Sequence, residues 1–292
     1  MTFQSSSDRV VRGPLQKPNV TGFTVIIVTH NSGADIRGCL NSILQYRFLH
    51  RLQLIVVDNA SQDDTLDILH TFNYFATIIA NPSNIGFGRA CNLGAALAAF
   101  DILLFCNPDV VLRSDIFLAA SRHFANDRIG ALCPCIMNGH GDFVPSGFTF
   151  PHNSLSLIIA FARNILGRSD PERNYRWWHD NETLLNCDWV IGACMFVPRK
   201  HFHACGGFDE DYFLYFEDID LCRRIRSAGL AIIADRSICI SHKKYGSSRS
   251  HPPLEIRDIR RMSQLLYYRK HHGRTGELLA RFLDRDGTLF RT

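Results

Sequence analysis

Three short stretches of this chain are apolar almost without interruption, and helical patterns separate them. They are Phe23–Thr29 (FTVIIVT), residues 52–57 (LQLIVV) and Ile102–Cys106 (ILLFC). A strand with one wet face alternates polar and apolar residues. A β-branched run that does not alternate must be covered on both faces. Such strands interleaved with helices predict an α/β fold, a mostly parallel Rossmann-like sheet with helices on both faces.

The segments between the strands carry helix signals. Asn31 or Ser32 is placed to cap a helix with Ile36, Leu40, Ile43 and Leu44 on one face. Ser61 and Asp64 have capping-box spacing and open a helix through Leu66 and Leu69. Residues 77–80 read as a short strand, and a Gly-punctuated loop at 84–89 leads into an Ala-rich helix ending near Phe100. Ser114 is expected to cap a further helix, and residues 129–135 close the series. Residues 136–186 break the pattern and read as an insertion or lid over the site, or as loose packing filler. Regular structure resumes at 189–197, at a helix opening with Glu217, and at strands near 230–234 and 238–241.

The expected organisation is a flexible leader (1–21), one catalytic domain (22–250) and a basic tail (251–292). Within the tail, Ile256, Ile259, Met262 and Leu266 share a helical stripe ahead of Tyr267-Tyr268-Arg269-Lys270-His271-His272. An amphipathic helix of this kind either packs back onto the domain or lies on an anionic membrane surface.

Bulk charge excludes little, since the net charge of +4 gives no argument for nucleic acid. The ten cysteines sit mostly in apolar runs, where a free thiol behaves as a small hydrophobe, so reduced thiols in a cytoplasmic protein are expected. Residues 1–20 lack the apolar stretch of a signal peptide, and no run reaches the ~18 residues of a spanning helix. The expected location is the cytoplasm, with peripheral contact on the inner face of the cell membrane through the tail.

In parallel sheets, ligands bind beyond the carboxyl ends of the strands. Those ends carry Thr29-His30-Asn31, Asp58-Asn59 and Asn107-Pro108-Asp109. Asp58 is read as a hydrogen-bonding partner for a nucleotide base or ribose. In the loop holding Gly86 and Gly88, Cys91 stands where a dinucleotide fingerprint needs a third glycine. Hydride transfer is therefore disfavoured, while Arg89 at the helix start suits a diphosphate. A hard divalent cation shared with phosphates needs only one or two protein carboxylates. Asp109 is either a plain turn residue or a metal ligand, and its company with Asp58 and Thr29 favours the metal, with His242 either a further ligand or structural.

Residues 206–221 pack six carboxylates around an aromatic run. Asp218 follows Phe213-Leu214-Tyr215-Phe216, and a carboxylate held against apolar surface acquires the raised pKa of a general base. Asp220 is expected to pair with Arg223 and Arg224.

Seven blocks in order, VIIVTHNS (25–32), LIVVDNASQDDT (54–65), NIGFGRACNLGAAL (84–97), LLFCNPDV (103–110), WVIGACMFVPR (189–199), GGFDEDYFLYFEDIDLCRRIRSAG (206–229) and SHKKYGSS (241–248), resemble glycosyltransferase family 2. The similarity is greatest to its bacterial rhamnosyltransferase-like branch. It implies a GT-A fold and inverting transfer of one sugar from a nucleoside diphosphate sugar, dTDP-rhamnose favoured. The acceptor would be a glycan or polyprenyl-linked saccharide in cell-surface polysaccharide synthesis, and the cofactor Mg²⁺ or Mn²⁺. By position, Thr29, Asn31, Asp58, Gly86, Arg89 and Asn107 would face the nucleotide. Asp109 and His242 would ligate the metal, and Asp218 would be the base. Trp189, Gly192, Asp209, Glu210 and Glu217 would line the sugar and acceptor side. Asn107 replaces the first Asp of the Asp-x-Asp motif, which implies weaker metal binding. The Gln-x-x-Arg-Trp motif of processive members is missing, which implies single addition. The alternatives are a catalytically silent nucleotide-sugar-binding subunit and a nucleotidyltransferase.

Overall fold

The computed structural model describes residues 20–138, 141–150, 182–242 and 253–283. The leader up to residue 19, residues 151–181 of the expected insertion and residues 243–252 lie outside these.

The uniformly apolar runs are strands buried on both sides. β1 (Phe23–Thr29) and β4 (Ile102–Cys106) are buried at every residue. β2 (Leu52–Asp58) and β3 (Ala76–Ala80) run parallel to β1 on one side, and β4 runs parallel to it on the other. Alternate β1 side chains feed two cores. Ile26 and Val28 face one, while Val25 and Ile27 join Ile36, Leu40 and Ile43 of α1 (Gly33–Leu44) in the other. Each fully buried aliphatic side chain contributes about 1.5–3 kcal/mol, so the two cores are what fix the register.

Beyond β4 the sheet becomes mixed. The remaining strands are β5 (Val110–Leu112), β6 (Ile129–Met137), β7 (Phe143–Val144), β8 (Gly147–Phe148), β9 (Leu184–Cys187), β10 (Trp189–Val190), β11 (Cys194–Pro198) and β12 (Ala231–His242). Along the main sheet the order is β3-β2-β1-β4-β11-β6-β12-β5, with β7 on β6 and β9 on β12; β8 and β10 form a separate pair. The helices are α2 (Thr65–His70), α3 (Phe87–Ala96), α4 (Ile116–His123), α5 (Arg199–Ala204), α6 (Glu217–Ser227) and α7 (Pro253–Leu283).

Several local expectations are corrected. Ser32 is the residue before α1 but its side chain makes no capping bond. Ser61 does not cap α2; Asp64 precedes that helix, and the Ser61 hydroxyl is drawn to Asp58 instead. Asp115, not Ser114, caps α4 by accepting from the Leu118 N–H. The two strands expected between 230 and 241 are one, β12, with a register shift between Asp235 and Cys239. In α7 the buried face is Ser263, Gln264, Tyr267 and Tyr268, whereas Met262 is 71% exposed. Of the expected stripe, Leu266 packs against the core and Ile256 and Ile259 are half-buried, so Met262 alone is turned outward. α7 kinks at Gly273, whose φ is 68°.

Candidate active site

The polar clusters converge at the carboxyl ends of β1, β2 and β4. Asp58 is fully buried and nearly saturated as an acceptor. Its Oδ1 accepts from the Thr29 hydroxyl (2.8 Å) and the Ser61 hydroxyl (2.5 Å), and its Oδ2 accepts from the Ser61 N–H (3.0 Å). Asn31 sits in the left-handed region at φ 51°; its N–H donates to Ser61 Oγ (2.9 Å) and its Oδ1 accepts from the Gln62 N–H (2.7 Å). Thr29, Asn31 and Asp58 thus come together by staple contacts between the two strand ends. A buried carboxylate needs such donors, because an unpaired one would cost several kcal/mol.

A second layer ties in the Gly loop. Asn59 Nδ2 donates to the Gly86 carbonyl (3.1 Å), and Asn81 Nδ2 donates to Asn59 Oδ1 (2.8 Å). The Phe87 N–H donates to the Phe213 carbonyl (2.8 Å), joining this loop to the carboxylate-rich segment. Gly86 is required here, since its φ is 89° and a Cβ would lie 2.7 Å from the Phe213 oxygen. Thr29, His30, Asn59, Asn84, Gly86, Pro108, Phe213 and Leu214 line the resulting cleft. His30, Asn59, Asn84 and Phe213 were read from the sequence only as members of their segments, with no role of their own. The signal for Asn59 was its place directly after Asp58; Phe213 gave none beyond belonging to an aromatic run. A larger cavity, about 620 Å³, opens elsewhere between Asp101, the 124–129 turn and residues 198–203, away from all of these groups.

Asp109 is 4% exposed, and neither of its carboxylate oxygens has a hydrogen-bond partner among the described residues. His242 Nε2 lies 3.2 Å from Oδ1 and 3.5 Å from Asn107 Nδ2. A buried carboxylate with both oxygens unsatisfied beside an imidazole nitrogen suits a hard cation. Among the described residues no group of three or more His, Cys, Asp or Glu side chains gathers to hold a metal unaided. The residues present therefore fit a cation that takes its remaining ligands from phosphates and water.

Asp218 opens α6 from a strained turn, because Tyr215 (φ 69°) and Phe216 (φ 67°) are both left-handed without being glycine. Its carboxylate is half-buried and oriented by two backbone donors, Gly192 N–H to Oδ2 (3.0 Å) and Ile219 N–H to Oδ1 (2.8 Å). Burial pushes its pKa up, and these two N–H groups offset only part of that. Neighbouring Glu217 is buried, with Oε2 unpartnered among the described residues; burial and the adjacent Asp218 push it well above the usual carboxylate range.

The residues expected on the acceptor side divide. Gly192 touches Asp218 directly. Trp189 is buried; its ring stacks on Phe148 at 4.4 Å and its Nε1–H donates to the Thr149 carbonyl. Glu210 pairs with Arg89 (3.1 Å), bringing together two residues expected on different sides. Asp209 pairs with Lys270 of α7 (2.5 Å), which also reaches Asp211 (2.7 Å). Asp220 is bound bidentately by Arg224 and by His271 (2.7 Å), while Arg223 turns away to the Tyr267 hydroxyl (2.8 Å).

The topology is an α/β sheet with its polar groups gathered at the carboxyl ends of the parallel strands, where such folds bind ligands. Residues 24–171 match the sequence model of "Glycosyl transferase family 2", and the chain belongs to that family. It is 28% identical over 244 residues to the N-acetylglucosaminyl-diphospho-decaprenol L-rhamnosyltransferase of Mycobacterium tuberculosis, covering 77% of each chain. It is 27% identical over 218 residues to the rhamnosyltransferase WbbL of Escherichia coli, covering 71% of this chain and 78% of that one. Among solved structures, it superposes on the mannosyltransferase PcManGT of Pyrobaculum calidifontis in complex with GDP-Man and Mn²⁺. The TM-score is 0.58 at 16% identity, covering 91% of this chain and 70% of the other. No helix among the described residues is long and apolar enough to cross a membrane.

Proposed function

We propose that the chain transfers a single rhamnosyl residue from dTDP-rhamnose, with inversion, to a polyprenyl-linked saccharide in cell-surface polysaccharide synthesis. The supporting observation is Asp218, a half-buried carboxylate aimed by two backbone N–H groups, on the segment whose Phe213 and Leu214 line the cleft. Support for the sugar comes from the rhamnosyltransferases among its relatives, one of which is named for a decaprenol-linked substrate.

In this reading Asp218 accepts the proton of an acceptor hydroxyl as that oxygen attacks the anomeric carbon. The bond to the diphosphate oxygen breaks on the opposite face and its electron pair leaves with the diphosphate. Asp109 and His242, with Asn107 beside them, would hold Mg²⁺ or Mn²⁺, which when bound neutralises charge on the leaving group. The network around Thr29, Asn31 and Asp58 shapes the nucleoside side, and Gly86 keeps its rim open. Asp209 and Glu210, engaged by Lys270 and Arg89, act on the acceptor side by fixing the segment that delivers Asp218. The exposed Met262, Leu278 and Phe282 of α7 lie among arginines and support peripheral contact with an anionic membrane.

The test is a radiolabel assay with a polyprenyl-diphosphate-linked saccharide and a panel of nucleotide sugars, with and without chelator. Transfer from dTDP-rhamnose alone, lost with chelator and restored by Mn²⁺, is the expected result. Transfer from another nucleotide sugar would replace the donor and leave the reaction class.

A further inference from the structure

The parallel half of the sheet ends at β3, and among the described residues β3 pairs only with β2. Exposed strand edges are normally blunted by charge, because their unpaired N–H and C=O groups recruit other strands. This one is not. From Thr71 through Gly88 the sequence contains no charged side chain. The strand itself reads Ala-Thr-Ile-Ile-Ala and is exposed at Thr77 and Ala80.

Its N-terminal end carries aromatic surface. Tyr74 is 91% exposed and Phe75 45%, with Phe48 at 83% and Leu49 at 69% on the neighbouring turn. Arg47 bridges the two turns, its guanidinium 4.1 Å from the Phe48 ring centre and 5.4 Å from that of Phe75. With aromatic side chains burying ~150–250 Å² each, this patch offers on the order of 500 Å² before any backbone is counted. A standard interface takes about 800 Å² per partner.

The hydrogen-bond phase of the edge points to the occupant. The Asn81 N–H donates inward to the Asp58 carbonyl (2.8 Å). Odd-numbered residues therefore bond to β2, and the N–H and C=O groups of Ala76, Ile78 and Ala80 point outward. These outward groups are symmetric about Ile78. We propose that two copies of this chain pair β3 against β3, antiparallel and centred on Ile78, into one continuous sheet. Ile78 then pairs with itself, Ala76 with Ala80 of the second copy, and Tyr74 comes opposite Pro82, which is exposed. A two-fold interface needs a self-complementary patch, and this strand supplies one.

The test is the mass of the full chain in solution by light scattering, for the wild type, Ala80→Pro and Thr77→Lys. Ala80→Pro removes an outward N–H and leaves the β2 ladder intact. Thr77→Lys sets two lysines on one face diagonally across the two-fold, at residue positions about 7–8 Å apart, so that like charges meet. The expected result is a wild-type dimer of twice the 33.1 kDa chain, with at least ~10-fold weaker association in each folded variant. Circular dichroism identifies a variant that has failed to fold, and the other variant then decides. A wild type that stays monomeric at every concentration overturns the proposal. So does a dimer that survives Thr77→Lys unchanged.

Discussion

The Gly192 N–H holds Asp218 Oδ2 at 3.0 Å, and a Cβ on residue 192 would come within 3.2 Å of Asp218 Cβ. The loop between β10 and β11 and the first turn of α6 are therefore fitted to each other with no room for a methyl group. Gly192→Ala must displace the carboxylate by a few tenths of an ångström. Because a misplacement of ~1 Å can cost about 10²-fold, a loss of roughly 10-fold in kcat is expected, with nucleotide affinity by calorimetry unchanged.

Asp218→Asn keeps the shape and removes the basic oxygen. Turnover should fall by roughly 10²–10⁴ while donor binding is kept. Full activity in this variant would remove Asp218 from the mechanism.

The acid limb of the wild-type rate profile follows from the same group. A base works deprotonated, so activity should be lost as pH falls through its raised pKa. The midpoint should stand above the ordinary Asp value of about 3.9. A limb at or below that value would contradict the burial argument.

Glu217 gives a stability prediction of fixed sign. Its folded pKa is raised, so its contribution is complete below the unfolded value of about 4.3 and is lost as pH rises through the folded one. Glu217→Gln should therefore raise the melting temperature at neutral pH, and the gain should vanish near pH 4. A neutral-pH melting temperature lower than wild type would show that the ionised form is the stable one.

Asp220 has the opposite sign. Burial pushes its pKa up, but His271 and Arg224 outweigh that and hold it below the usual range. Its contribution is present above the unfolded value and lost as pH falls through the depressed one. Asp220→Asn leaves Arg224 and His271 without their partner, and urea titration should show about 3–5 kcal/mol of lost stability.

The sequence was most legible where hydrophobic burial decides. The ranges of β1 and β4 are as read, because nothing competes with a continuous apolar run. It was least legible where one polar atom has several partners within reach. Ser61 has the spacing of a cap, yet the buried Asp58 is the stronger acceptor and takes it. Asp209 and Glu210 read as ligand-facing carboxylates, but Lys270 and Arg89 arrive from segments 61 and 121 residues away. No local pattern foretells such pairings. The stacking of Trp189 on Phe148 was not legible for a related reason, since Phe148 lies at the edge of an insertion with no periodicity.

The left-handed pair Tyr215-Phe216 has a bearing on when the protein becomes competent. Two bulky residues in that region cost of order 1–3 kcal/mol each and persist only where their surroundings fix them. Those surroundings come from α7: the Ser263 hydroxyl donates to the Leu214 carbonyl (2.8 Å), Arg260 lies over the Tyr215 ring, and Tyr267 packs on Phe216. α7 is also the last of the described elements to be synthesised. The sheet and its cleft can form on a growing chain, but the turn that presents Asp218 has to wait for residues 260–267 to leave the ribosome. A nascent chain would thus form its strand-end cleft well before it could seat Asp218.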